Sequence, residues 1–298
     1  GYHQIARHPE VWRHVVATHG LLFDPEPMRA LIRAGIDDLP AGMVPVISSE
    51  ILSGHPFFGG MASDDYARRL KAIAPDAKIL VSIRSQMRIL TSVYMQYLLR
   101  GGTMGPELFF AGDPELGFFG FRPEHFEYHR LIGLYRDLFG VENVHVITQE
   151  SLKADMDGAT RRLAAFAGNA GFDGVLPTHR SAYAPSYPEY AVPMLRRINK
   201  LQKSVLTPAP TIKIGTTPDG FYRAFGYVLR RPPFSWALGG YHPVSAHVEK
   251  TFRGRFDASN RELAKIAGYL DLSDYSGVMA TTKSAMPSSA KARLASAR

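Results

Sequence analysis

The chain has 298 residues, 45% hydrophobic and 21% charged, a balance that supports the buried core of one large domain or two small ones. It contains no cysteine, which excludes disulfides and thiolate metal sites, and no apolar run approaches the roughly 20 residues of a membrane span. Half of the net charge of +8 sits in residues 281–298, which carry Lys283, Lys291, Arg293 and Arg298 and no acid. The rest mixes both signs, so a nucleic-acid groove is not expected.

The chain opens Gly1-Tyr-His-Gln-Ile, without the charged and apolar regions of a signal peptide. That start reads as a cut inside a longer sequence, and with the absence of cysteine it leads to the expectation of a cytoplasmic protein. Residues 9–19 and 25–34 have the spacing of two short amphipathic helices, the first opened by Pro9. Residues 44–47 suit a short buried strand, and residues 64–74 a helix with Tyr66, Leu70 and Ile73 on one face. Residues 78–83 are the clearest strand in the chain, nearly continuously apolar and β-branched. A helix over 85–99 follows directly, closed by Gly101-Gly102. Further on come a helix at 124–139, a strand at 144–147 and helices at 157–167, 190–201 and 259–269, with a Pro/Gly-rich loop over 207–220.

Alternating strands and helices over the first 170 residues predict an α/β fold, a parallel sheet flanked by helices on both faces. The C-terminal third is expected to be irregular and mostly helical. Residues 1–280 read as one domain and 281–298 as a disordered basic tail.

In such a sheet, ligands bind where strand ends meet helix starts. Arg84 stands at that place and Ser92 follows eight residues on, so guanidinium and hydroxyl can bracket one phosphate. The alternative is a capping arginine in a surface ion pair and a serine packed as a small residue. His125 and His129 are four apart in one predicted helix, but no third ligand is apparent, and no metal is expected.

Lys78-Ile-Leu-Val-Ser-Ile-Arg84, followed by Ser92-Val-Tyr-Met-Gln-Tyr97, resembles the 3′-phosphate-binding segment of the sulfotransferases that use 3′-phosphoadenosine 5′-phosphosulfate (PAPS). Val144-His-Val-Ile-Thr-Gln-Glu-Ser-Leu152 with Thr160-Arg-Arg-Leu-Ala-Ala-Phe-Ala-Gly168 is similar to the family's strand, E-x-L turn and helix. Leu195-Arg-Arg-Ile-Asn199, Ser259-Asn-Arg-Glu-Leu263 and Asp271-Leu-Ser-Asp-Tyr275 are similar to segments of its bacterial members. The resemblance covers residues 44–276. It implies a P-loop nucleotide-binding type of sheet, with Arg84 and Ser92 on the donor's 3′-phosphate and no metal, and it implies sulfuryl transfer to a hydroxyl or amine of a small-molecule or carbohydrate acceptor.

Family members place a base just after the strand preceding the arginine-bearing one. Glu50 stands there, with His55 as a second candidate. The alternatives are a helix-start carboxylate for Glu50 and a loop residue for His55. The family also opens with a Pro-Lys-x-Gly-Thr-Thr loop for the 5′-phosphosulfate, which this chain lacks at its start. Gly215-Thr216-Thr217 after Lys213 reads as a chance match, and the loop is expected upstream of Gly1. A non-catalytic nucleotide-binding module that keeps only the 3′ site, and a different phosphoryl-transfer enzyme of the same architecture, stay open. Phe57, Phe58, Phe109, Phe110, Phe118, Phe119 and Phe121 are expected in core or lid packing, some of them lining an acceptor pocket.

Overall fold

Tyr2–Gln4 forms β1, which pairs in parallel with β2, Val44–Val46. The computed structural model describes residues 1–113, 115–174, 187–210, 212 and 214–278, so the basic tail at 281–298 lies outside the described residues. The link between β1 and β2 contains α1, His8–Val11, a π-helical turn Trp12–Val16, and α2, Glu26–Asp37. Next come α3, Ser63–Ile73, β3, Ile79–Ile83, α4, Gln86–Leu99, and α5, Pro106–Phe110. α6, Tyr128–Phe139, leads to β4, Val144–Thr148, then α7, Gln149–Ala154, and α8, Met156–Ala167. The remaining helices are α9, Val192–Asn199, α10, Phe221–Leu229, α11, Phe234–Leu238, α12, Pro243–Phe252, and α13, Asp257–Ile266.

The fold is mixed α/β and mostly helical, with two small parallel sheets where one continuous sheet was expected. β3 pairs with β4 from Ile79 opposite Val144 to Ile83 opposite Thr148, and β1–β2 stands apart. Local sequence explains part of the separation. Pro45 in the middle of the three-residue β2 donates no ladder hydrogen bond, which suits an edge position. β3 is also less buried than its composition predicts. Ile79, Val81 and Ile83 turn inward, whereas Leu80 and Ser82 are exposed, so helices do not cover both faces evenly. Ile83 and Val146 pack with Ile132 of α6 and Leu263 of α13, and Val144 packs with Ala67 of α3 and Tyr135 of α6. On the other face His145 lies between the Phe166 and Tyr269 rings, at 5.1 and 5.6 Å.

The largest core cluster sits on α4, where Leu90, Val93, Tyr94, Tyr97 and Leu98 meet α5, α12 and Phe57. Four of the seven singled-out phenylalanines, Phe57, Phe109, Phe110 and Phe121, are buried there, while Phe58, Phe118 and Phe119 are exposed. α12 begins with Pro243 at a first-turn position, where a missing N–H costs nothing, and buries Val244, Val248 and Phe252 on one stripe.

His125 and His129 do not share a helix. His125 lies in a 3-10 turn, Pro123–Phe126, packed so closely on Gly60 that a Cβ there would collide with its ring. His129, in α6, bonds Ser259 Oγ at 2.8 Å. Burial, with a smaller contribution from His55, pushes His125 down to about 4 from 6.5. His55, His129 and His145 are lowered too, each chiefly by burial. Below pH 6.5 the unfolded chain therefore binds more protons than the folded one, and stability falls as pH drops towards the folded values. His125 alone should remove roughly 2 kcal/mol between pH 6.5 and 5. Urea unfolding at pH 7 and pH 5 measures the loss, and His125→Gln, which cannot titrate, should shrink it.

Candidate functional site: a cleft at the end of β3

The crossing from β3 into α4 is held from two sides. The Arg84 carbonyl accepts from Tyr128 Oη at 2.7 Å, and the Ser85 N–H donates to Glu150 Oε1 at 3.2 Å. Burial raises the Tyr128 pKa above the ordinary phenol range, which keeps that hydroxyl a donor. Glu150 follows β4 directly and accepts from Tyr275 Oη at 3.4 Å with its other oxygen, and burial followed by that carboxylate holds the Tyr275 phenol protonated. One carboxylate thus ties together the carboxyl ends of β3 and β4 and the segment after α13.

With its backbone pinned, Arg84 turns its side chain along α4, and Nη1 donates to Ser92 Oγ at 2.8 Å. Ser92 Oγ in turn donates to the Arg88 carbonyl at 3.1 Å. Arg84 makes no ion pair with a carboxylate among the described residues, and its Nε is buried without a hydrogen-bond partner. Arg88, one turn up, lies 3.9 Å from Glu150 and 3.4 Å from Asp274. The surface-ion-pair alternative for Arg84 therefore describes Arg88 better.

Arg84, Arg88, Thr91 and Ser92 line one wall of a cleft of about 590 Å³, within the range of small-molecule sites. The facing wall comes from Glu189 and from the start of α12, with His242 and Ser245. Glu189 caps that helix, accepting from Ser245 N at 2.8 Å and from Ser245 Oγ at 2.5 Å, and His242 Nδ1 is 3.7 Å from the same carboxylate. Thr91 Oγ1 and Ser245 Oγ, 3.4 Å apart, join the two walls.

Glu50 and His55 do not line this cleft. Glu50 is exposed at the start of a 3-10 turn, Glu50–Ser53, beside Ser49, whose Oγ meets His8 Nδ1 at 2.7 Å. His55 caps a second turn, Pro56–Phe58: its Nδ1 accepts the Phe57 N–H at 3.3 Å and its ring packs on Phe57 at 4.6 Å. None of the singled-out phenylalanines lines the cleft either. Lys213 lies outside the described residues. Gly215 and Thr217 are tied into packing with α9, Thr217 Oγ1 donating to Asn199 Oδ1 at 3.0 Å. Among the described residues no group of three or more His, Cys, Asp or Glu is arranged to hold a metal, and no helix is long and apolar enough to cross a membrane.

No protein-family model and no curated protein matches the chain. Among solved structures, the chain is similar to the crystal structure of a sulfotransferase from Alicyclobacillus acidocaldarius. That similarity is distant: 22% identity and a TM-score of 0.39, over 59% of this chain and 68% of the other. The residues of the cleft, not that similarity, bear on the chemistry.

Glu150, Tyr128, Glu189 and Ser245 were not singled out from the sequence as site residues. Glu150 alone had a signal, the glutamate of the E-x-L turn.

Proposed function

We propose that the cleft holds the 3′-phosphate of PAPS and that the chain is a sulfotransferase acting on a hydroxyl or amine of a small-molecule or carbohydrate acceptor. The supporting observation is the Arg84–Ser92 pair. A guanidinium without a carboxylate partner among the described residues lies 2.8 Å from a hydroxyl at the edge of a ligand-sized cleft. A phosphate dianion offers acceptors for the guanidinium fork and for the hydroxyl. It also gives Arg84 an anionic partner, because the two carboxylates of the cleft lining, Glu189 and Glu249, are bonded to Ser245 and Arg253 instead. The resemblance of the segments around Arg84 and Glu150 to the PAPS-dependent family agrees with this reading.

In the reaction the acceptor oxygen or nitrogen attacks sulfur in line, the sulfur–oxygen bond to the 5′-phosphate breaks, and adenosine 3′,5′-bisphosphate leaves. The acceptor's proton passes to a base; the family resemblance gives that role to Glu50, which stands outside the cleft assigned to the 3′-phosphate. Calorimetric titration should give tighter binding of adenosine 3′,5′-bisphosphate than of adenosine 5′-phosphate, and transfer of radiolabelled sulfate from PAPS to an acceptor panel tests turnover. Equal affinity for the two nucleotides removes the proposal. Bisphosphate preference without transfer to any acceptor favours the non-catalytic nucleotide-binding module. Glu50→Gln should lower turnover by about 100-fold, within the span of general-base catalysis, while donor affinity stays the same. Unchanged turnover removes Glu50 as the base.

A further inference from the structure

α10 carries apolar residues on both sides, and only the side of Tyr222 and Leu229 packs on the rest of the protein. Tyr222 and Gly226, four apart, are its buried residues. Tyr222 packs edge-on against Tyr187 at 5.3 Å, and a Cβ on Gly226 would collide with the Tyr187 ring. The exposed side carries Phe221, Phe225 and Val228, at the i, i+4, i+7 spacing that normally marks a buried stripe. Tyr227 is exposed beside them. α11 and the turn after it continue the surface with Phe234, Leu238 and Tyr241, and with Trp236, 82% exposed. Exposed aromatics in this number on consecutive short helices mark an interaction surface.

Charge identifies the partner. Residues 220–248 contain no Asp or Glu, but Arg223, Arg230 and Arg231 lie among the aromatics. Arg231 lies over the Tyr227 ring at 4.1 Å and Arg230 over the Tyr187 ring at 4.5 Å. Arg223, at 3.7 Å from Asp219, forms an ion pair with both members exposed, which contributes little. A two-fold pairing of two copies through this surface would bring three arginines of each copy together with only Asp219, at the edge and beside Arg223, to answer them. Phe, Trp, Tyr and Leu edged by three arginines, with Asp219 at the border as the acid beside Arg223, is instead a composition that settles into the headgroup region of an anionic bilayer. There aromatic rings sit at the polar–apolar boundary and guanidinium groups reach the phosphates.

We propose that α10, α11 and the turn through Tyr241 form a surface that docks onto an anionic lipid membrane, lying on it without spanning it. Tyr187 supports α10 and also lines the Arg84 cleft, so the docked surface adjoins one wall of the cleft. The docking surface stands independently of what the cleft binds.

The test is co-sedimentation of the full chain with vesicles of phosphatidylcholine alone and with vesicles of equal parts phosphatidylcholine and phosphatidylglycerol. Binding is expected only to the second, weakening as salt is raised. Phe225→Ser and Trp236→Ser should each weaken it by about tenfold. Both side chains are exposed, so circular dichroism should show the fold unchanged. The chain has two tryptophans, so in a Trp12→Phe background the emission of Trp236 should shift to the blue when the anionic vesicles are added. No binding to the anionic vesicles, or binding that neither serine substitution weakens, overturns the proposal. So does a dimer in vesicle-free solution, by light scattering, that both substitutions dissolve, since the surface then belongs to a second copy.

Discussion

Replacing Arg84 with Ala should weaken binding of adenosine 3′,5′-bisphosphate by roughly 10- to 100-fold, the worth of one or two hydrogen bonds to a charged group. Affinity for adenosine 5′-phosphate should hardly change, so the preference between the two nucleotides collapses. The specificity of the effect follows from geometry. Arg84 is held by its own carbonyl bond to Tyr128 and by the bond from Ser85 to Glu150, and neither involves the guanidinium. Removing the side chain breaks the bond to Ser92 but also removes a buried Nε with no partner, so little loss of stability is expected. Arg84→Lys should fall between, keeping the charge but losing the fork. Ser92→Ala should cost only a few-fold, because it deletes one neutral hydroxyl. Calorimetric titration of each variant with both nucleotides is the measurement. An Arg84→Ala protein that keeps its bisphosphate preference means that the cleft does not hold a 3′-phosphate.

The largest effect on stability is expected at Asn260. This side chain is fully buried and bonds Gln86 twice, at 2.7 and 3.3 Å, and the Ser276 carbonyl at 3.0 Å. Gln86, 2% exposed, also donates to the Phe126 carbonyl at 3.2 Å. Every polar atom of the pair is satisfied inside the protein, where an amide left unpaired has no water to turn to. Asn260→Leu should therefore cost about 2–4 kcal/mol in urea unfolding. Gln86→Leu in the same protein should restore part of that loss, because it removes the stranded partner. A purely additive double variant would mean that the two amides act separately. Gln86 is also the first residue of α4, the helix that carries Ser92. The single variant should accordingly weaken bisphosphate binding as well, without touching the cleft.

Asn260 shows how sequence similarity and physical role can diverge. The segment Ser259-Asn-Arg-Glu-Leu263 stood out from the sequence by resemblance alone. In the structure it braces α4 through Asn260, supports His129 through Ser259 and fills the sheet's core with Leu263. α12 shows the converse. Its first-turn proline and the spacing of Val244, Val248 and Phe252 are present in the sequence, yet no helix over 243–252 is among the predicted elements. α10 could not be read as a surface helix from its pattern, because both of its sides are apolar, and only the packing of Tyr222 and Gly226 on Tyr187 decides which of them is covered.

By itself the sequence determined β3, α4 and the spacing of Arg84 and Ser92. These depend on interactions within about twenty residues: a β-branched run, a helical repeat and a closing Gly101-Gly102. The separation of β1–β2 from β3–β4, the exposed side of β3, and the placement of Glu50 and His55 outside the cleft were settled only by tertiary packing. So was the facing wall of Glu189, His242 and Ser245, drawn from chain about 100 residues and more beyond Arg84. Local propensity does not specify which distant segment answers a given charge. That choice follows from how α4 and α12 share one core and how Asn260 of α13 holds Gln86 of α4, and it turned a spacing of arginine and serine into one wall of a cleft.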